Sequence, residues 1–164
     1  MLPPLSPRHD FRERSPEQVR VAVFGATGYI GRFVVKELVE RGYQVMAFAR
    51  ESSGIGGRKG QTDVVGDFPG AEVRFGDVTN PASLATHAFN APTDVVISCL
   101  ASRTGGKKDS WAIDYEANLN TYNEGRKAGL AHFVMLSAIC VQKPILEFQK
   151  AKLAFETRLQ EDTE

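Results

Sequence analysis

The sequence predicts an α/β fold: a doubly wound parallel sheet with helices on both faces. Three observations predict it. Apolar runs of strand length recur along the chain, beginning with "VRVAVFGA". Each run is followed by a segment of helical length, and in the first of these Ile30, Val34 and Leu38 fall on one stripe. The turn between the first run and the first helix carries Gly25, Gly28 and Gly31, one glycine at every third position. Strands buried on both faces read as continuous apolar runs, and a parallel strand pair needs a crossover, usually a helix. Such crossovers are right-handed, and the expected strand order is 3-2-1-4-5.

The elements follow in order. Residues 1–18 read as a disordered leader, because Pro3, Pro4, Pro7 and Pro16 and dense charge oppose regular structure. Its arginines and serines suit an organelle transit segment, whereas Asp10, Glu13 and Glu17 do not, so a plain tail and a transit remnant both stand. The main unit is expected over residues 19–158, with 159–164 as a tail. After the first strand comes a helix from Tyr29 to Arg41, stopped by Gly42. "YQVMAFAR" is the second strand, and residues 51–70 form a polar, glycine-rich loop with room for a short helix. "AEVRFGDVT" is the third strand. A helix follows, with Asn80 as its cap and Pro81 in its first turn. "TDVVISCLAS" is the fourth strand, followed by a helix from Asp114 that Gly129 stops. "HFVMLSAI" is the fifth strand, and a last helix runs from Pro144 to Gln160. At least five strands are expected. A sixth strand and a substrate-covering region are not seen, so the chain reads as incomplete relative to a working enzyme.

Bulk properties narrow the function. The chain has 164 residues, suited to one domain, and 42% of them are hydrophobic. Twenty lysines and arginines balance twenty acidic residues, so net charge does not drive the chain to nucleic acid. Two cysteines, Cys99 and Cys140, are not a disulfide framework. No apolar run reaches the roughly 18 residues of a membrane span, although peripheral membrane association stays open. No metal-ligand cluster is expected.

The glycine turn points to a phosphate. Gly25 permits a tight bend, Gly28 lets backbone N–H groups approach a diphosphate, and Gly31 lets the helix pack closely. Thr27, Tyr29 and Ile30 belong to the same cradle. The second strand ends at Arg50, where a carboxylate would otherwise accept from a ribose 2′-OH. A cation there, with Arg32 as a second, favours NADPH over NADH, while the neighbouring Glu51 argues the other way. At the end of the third strand Asp77 either accepts from an adenine amino group, with Val78 on the ring, or caps a turn. Leu100, Ala101 and Ser102, at the end of the fourth strand, are expected beside the cofactor.

"GATGYIG" resembles the atypical or extended branch of the short-chain dehydrogenase/reductase superfamily. The match narrows with "GYIGRFVVKELVERGYQVMAFARESSGI", "CLASRTGGKKDSW" and "LSAICVQKPILEFQKAK", which are similar to the divinyl chlorophyllide a 8-vinyl-reductase family over about residues 19–158. That resemblance implies a Rossmann-like fold, NADPH, a chloroplast location, a tetrapyrrole substrate and conversion of its 8-vinyl group to ethyl in chlorophyll biosynthesis. The superfamily's catalytic Y-x-x-x-K falls on "FQKAK": Phe148 replaces the tyrosine, and Lys152 keeps the lysine position. Phenylalanine has no proton to give to an alkoxide, so carbonyl chemistry by the usual route is not expected. Lys152 and Ser137 are the candidate catalytic residues, Lys152 toward the nicotinamide ribose and Ser137 as pocket lining. Arg103, Lys107 and Lys108 either meet a substrate carboxylate or form a solvated basic turn. Trp111 either stacks on a flat substrate or packs. Two other readings remain: a non-catalytic NADP-binding sensor or scaffold, and an isoflavone-reductase-like double-bond reductase.

Overall fold

The computed structural model of the protein describes residues 13–51 and 60–162. Strand β1, Arg20–Phe24, is the centre of a five-stranded sheet of order β3-β2-β1-β4-β5. The others are β2 (Gln44–Ala49), β3 (Glu72–Phe75), β4 (Val95–Ser98) and β5 (His132–Met135). Every pairing is parallel, as expected. Val21 lies opposite both Val45 and Val95, which sets the register of the three central strands.

The burial of β1 explains its lack of polar alternation. Ala22 and Phe24 enter one core with Met46, Phe48, Leu84, Val96 and Phe155. Val21 and Val23 enter the other with Val35, Val45, Ala47 and Val64. Successive side chains of a strand point to opposite faces, so a strand with a core on each side must be apolar throughout.

Among the described residues five α-helices lie between the strands and a sixth follows the last: α1 (Tyr29–Glu40), α2 (Gln61–Gly66), α3 (Pro81–Ser83), α4 (Lys107–Ser110), α5 (Asn118–Lys127) and, after β5, α6 (Glu147–Glu161). Helix α1 ends as expected. Gly42 takes a φ of +86°, its N–H donates to Val39 O at 2.9 Å, and the Tyr43 N–H reaches back to Leu38 O at 3.1 Å. Asn80 Oδ1 caps α3, accepting from the N–H groups of Ala82 at 3.0 Å and Ser83 at 3.4 Å. Helix α3 runs directly into a π-helical turn, Leu84–Ala88.

Several expectations are corrected. The buried stripe of α1 is centred on Gly31 and Val35, leaving Ile30 exposed. The helix expected from Asp114 begins earlier, at Lys107, and passes through a π-helical stretch, Trp111–Ala117, before α5. The Asn118 amide supports that stretch by donating to Ile113 O at 3.3 Å and Asp114 O at 3.1 Å. Strand β5 stops at Met135, and α6 starts at Glu147 rather than Pro144. Residues 159–162 of the expected tail belong to the end of α6 or cap it, and Asp162 pairs with Arg158 at 2.6 Å and with Arg126 at 3.4 Å, tying α6 to α5; residues 163–164 lie outside the described ones. At the other end, Pro16–Gln18 form a short 3-10 turn. Arg14 pairs with Asp94 at 2.8 Å, and Asp94 Oδ2 also accepts from the Arg20 N–H at 2.9 Å. The disordered leader expected to reach Gln18 therefore gives way to ordered chain by Arg14, and its first twelve residues lie outside the described ones. Residues 52–59 of the expected glycine-rich loop lie outside them too. No helix among the described residues is long and apolar enough to cross a membrane.

Candidate functional site

The order reversal between β1 and β4 leaves a crevice at the carboxyl ends of the strands, where open α/β sheets bind ligands. A cleft of about 460 Å³ opens there. Gly25, Thr27, Gly28, Tyr29, Ile30, Arg50, Val78, Leu100 and Ala101 line it, all of them expected from the sequence. Gly31, Arg32, Asp77, Ser102, Ser137 and Lys152 do not.

The three glycines do different work. Gly25 has a φ of +73°, and a Cβ there would stand 2.6 Å from Cys99 O. A Cβ on Gly31 would meet Gly25 O at 2.1 Å. Both positions are closed to side chains by the protein's own backbone. Gly28 has an ordinary φ of −74° as the N-cap of α1, and its nearest Cβ neighbour would be Gly25 O at 3.1 Å. Its bare backbone faces the cleft. The first N–H groups of a helix have no intrahelical acceptor, and the helix dipole adds positive potential there. The bend thus offers N–H donors and a side-chain-free approach, and a dinucleotide diphosphate fits it.

Arg50 lies at the mouth. Burial, foremost, and then the like charge of Arg103 push its guanidinium below the usual arginine range, while Asp77 acts in the opposite direction. Arg32 does not line the cleft. Its guanidinium lies 5.0 Å from the Tyr29 ring centroid and 5.1 Å from that of Phe33. Asp77 is a turn residue here: its Oδ1 accepts from the Thr79 N–H at 2.8 Å and the Thr79 hydroxyl at 2.7 Å. Val78, beside it, does line the cleft.

The floor rests on Lys152, which is only 4% exposed. Its ammonium donates to Leu100 O and Leu136 O, both at 3.0 Å, and pairs with Asp114 Oδ1 at 3.3 Å. Leu100 and Leu136 both line the cleft, so the ammonium lies directly behind its lining. The two carbonyl contacts are hydrogen bonds, whereas the contact to Asp114 Oδ1 is an ion pair without hydrogen-bond geometry. Asp114 is fully buried, and its Oδ2 accepts from the Ser102 N–H at 3.3 Å. Lys152 is therefore not a solvated surface lysine. Ser137 is exposed, and its hydroxyl donates to Glu156. Phe148 is half-buried and outside the lining.

The sequence reading missed Asp114 as the partner of Lys152, and Phe48, Gly76, Asp109 and Leu136 as lining; Arg103, named there as a substrate contact or a solvated turn residue, also lines the cleft. Gly76 carried a signal, since a glycine inside a strand pattern marks a close approach: a Cβ there would meet the Phe48 ring at 2.7 Å. Trp111 packs 5.7 Å from the Tyr115 ring, and its indole N–H donates to Glu147 at 3.1 Å. Lys107 and Lys108 are exposed at the start of α4. Cys99 and Cys140 are free thiols, and burial raises the Cys99 pKa against the opposing pull of Lys152. Among the described residues no group of three metal-ligating side chains is assembled.

Comparison with known proteins agrees with this geometry. The chain is 54% identical over 158 residues to the chloroplastic divinyl chlorophyllide a 8-vinyl-reductase of Cucumis sativus, matching 95% of this chain and 38% of that protein. It is 56% identical over 151 residues to the enzyme of the same name from Arabidopsis thaliana, matching 91% of this chain and 36% of that one. The chain thus spans well under half the length of these relatives. The fold is similar to that of Citrobacter sp. triphenylmethane reductase complexed with NADP(H), with a TM-score of 0.66 at 23% identity, covering 87% of this chain and 46% of that one. The model of the NAD(P)H-binding family matches residues 25–162, glycine bend, cleft and Lys152 floor together, and the chain belongs to that family.

Proposed function

We propose that this chain is the cofactor-binding part of an NADPH-dependent reductase that converts the 8-vinyl group of a divinyl chlorophyllide to ethyl in the chloroplast. The cofactor reading is carried by the cleft: the first helix N–H groups, at Tyr29 and Ile30, on one side and a cation, Arg50, where the second strand ends. An arginine there accommodates a 2′-phosphate, whereas a carboxylate would select a ribose hydroxyl. The substrate and location come from the named relatives, at 54% and 56% identity.

The bound nicotinamide would supply the hydride that reduces the vinyl double bond. The chain's own residues hold and orient. Gly25 and Gly31 fix the bend, Gly28 admits the diphosphate, and Val78 offers an apolar wall for the adenine. Lys152, behind Leu100 and Leu136, holds the two carbonyls of the floor in place, its charge compensated by Asp114. Phe148 has no exchangeable proton, so nothing at that position supports alcohol oxidation.

Two measurements test the reading. Titration of the chain with NADPH and NADH should show preference for NADPH. Incubation with divinyl chlorophyllide and NADPH should shift the pigment spectrum to the monovinyl form, in this chain or in a longer protein that contains it. Equal affinity for both nucleotides removes the cofactor assignment. Binding without pigment conversion in the longer protein favours a non-catalytic NADP sensor, a second reading supported by the three protein contacts that occupy Lys152.

A further inference from the structure

The segment between β5 and α6 carries Ile139, 88% exposed, Ile145, 81% exposed, and Leu146, 53% exposed. Scattered apolar residues on a surface need no explanation, but these three are gathered by one side chain. The Gln149 amide, buried in the first turn of α6, donates to Ile139 O at 2.9 Å. It also accepts from the N–H groups of Ile145 and Leu146, both at 3.0 Å. One turn further along α6, Lys152 holds Leu136 O. Between these fastenings Val141 is buried, and the Lys143 N–H donates to Cys140 O at 3.0 Å. Cys140 takes a φ of +62°, a conformation that a non-glycine residue keeps only where its surroundings impose it. The segment is therefore a built ledge with aliphatic side chains left in water. Its inner end, Leu136, lines the cofactor cleft. The ledge follows β5, and Arg50 follows β2, on the other side of β1. A dinucleotide anchored at Arg50 crosses β1 toward β4 and β5, so its reducing ring comes to the Leu136 side.

We infer that this ledge, Ile139, Ile145 and Leu146 with Leu136 at its inner edge, receives one face of the tetrapyrrole ring beside the cleft. This inference rests on the reductase reading above. A chlorophyllide ring is broad, flat and apolar, with a carboxylate at its edge. The aliphatic side chains supply surface whose burial drives binding, and Lys143, exposed in the same turn, supplies a cation for the carboxylate. Gln149 is a positioning residue: it holds the ledge from behind and acts on the pigment only through Ile139, Ile145 and Leu146.

The test is steady-state kinetics with divinyl chlorophyllide and NADPH, with urea unfolding alongside, in a longer protein that contains this chain. Ile139→Ser and Ile145→Ser should each raise the KM for the pigment about threefold or more, with kcat and the KM for NADPH within about twofold. Their urea midpoints should match that of the unsubstituted protein, because both side chains already face water. Gln149→Ala should raise the pigment KM and leave the NADPH KM within about twofold, a split that general loss of folding does not produce. Val65→Ser is the control: Val65 is exposed on α2, which packs on the opposite face of the sheet from α6, and its pigment KM should not move. A smaller rise than about threefold in both isoleucine variants, or an equal rise in Val65→Ser, overturns the ledge. An unchanged pigment KM with lowered urea midpoints also overturns it, and shows that the rest of the longer protein covers these residues instead. The reductase reading fails separately: the unsubstituted longer protein then converts no pigment, and the ledge falls with it.

Discussion

The β1–α1 bend and the floor behind Leu100 and Leu136 border one cleft, yet they are built from different materials. At the bend the structure is main chain against main chain, with Gly25 against Cys99 and Gly31 against Gly25. At the floor it is side chain against main chain, one buried ammonium gathering the ends of β4 and β5 with a buried carboxylate behind it. The bend is local: its parts lie within a few residues, apart from the contact to Cys99. The floor is assembled from residues 100, 114, 136 and 152, which meet only when the sheet is complete. A local steric site is sensitive to volume, and an assembled ionic site is sensitive to charge. The two should therefore fail in different ways.

The largest difference should appear with Gly31→Val and Lys152→Met. A side chain at Gly31 has backbone at 2.1 Å with nowhere to move, so Gly31→Val should fail to give a cooperative unfolding transition in urea. Lys152→Met leaves Asp114 buried without its cation, which costs roughly 3–5 kcal/mol when one partner of a buried pair is removed. Its urea midpoint should fall sharply, and adding Asp114→Asn should recover part of the loss. If Lys152→Met unfolds like the unsubstituted chain, the floor is not held by that pair.

A smaller effect sharpens the division within the bend itself. Gly28→Ala meets only Gly25 O, at 3.1 Å, so its stability should change by about 1 kcal/mol or less. Its NADPH affinity should nevertheless drop about tenfold, because the methyl group occupies the face that the diphosphate approaches. A variant that melts early but binds normally would reverse the roles assigned to Gly28 and Gly31. The smallest effect belongs to a site remote from both regions. Asn80→Ala should cost about 1 kcal/mol in urea unfolding, through two lost cap bonds, with nucleotide affinity unchanged.

The same division explains what the sequence could disclose. Strand order, the α1 stop at Gly42, the Asn80 cap and the glycine bend were legible because each follows from neighbouring residues. Nine of the expected cofactor-side residues line the cleft for the same reason. Arg32 is outside the cleft lining: the buried residues of α1, Gly31 and Val35, fall about one position from the stripe read off its apolar residues, and the Arg32 guanidinium stacks near Tyr29 and Phe33. The early start of α4 was hidden because Asp109, which folds the "SRTGG" turn back, acts from inside a segment that looks like loop. The Asp114–Lys152 pair left no local trace, since neither residue's burial follows from its own surroundings in the chain. The π-helical stretch was equally silent: its support is an amide at Asn118, a residue common on ordinary helix surfaces.

The fastening of Arg14 and Arg20 to Asp94 has a practical consequence. All three residues lie at the amino edge of the sheet, beneath the strands, whereas every cofactor-side contact lies beyond their carboxyl edge. A fluorophore attached through a cysteine at the exposed Glu13 would therefore report the anchoring of this lower edge and stay blind to nucleotide. One at Ile30 would do the reverse, so the pair of labels would follow unfastening and ligand uptake as separate optical signals.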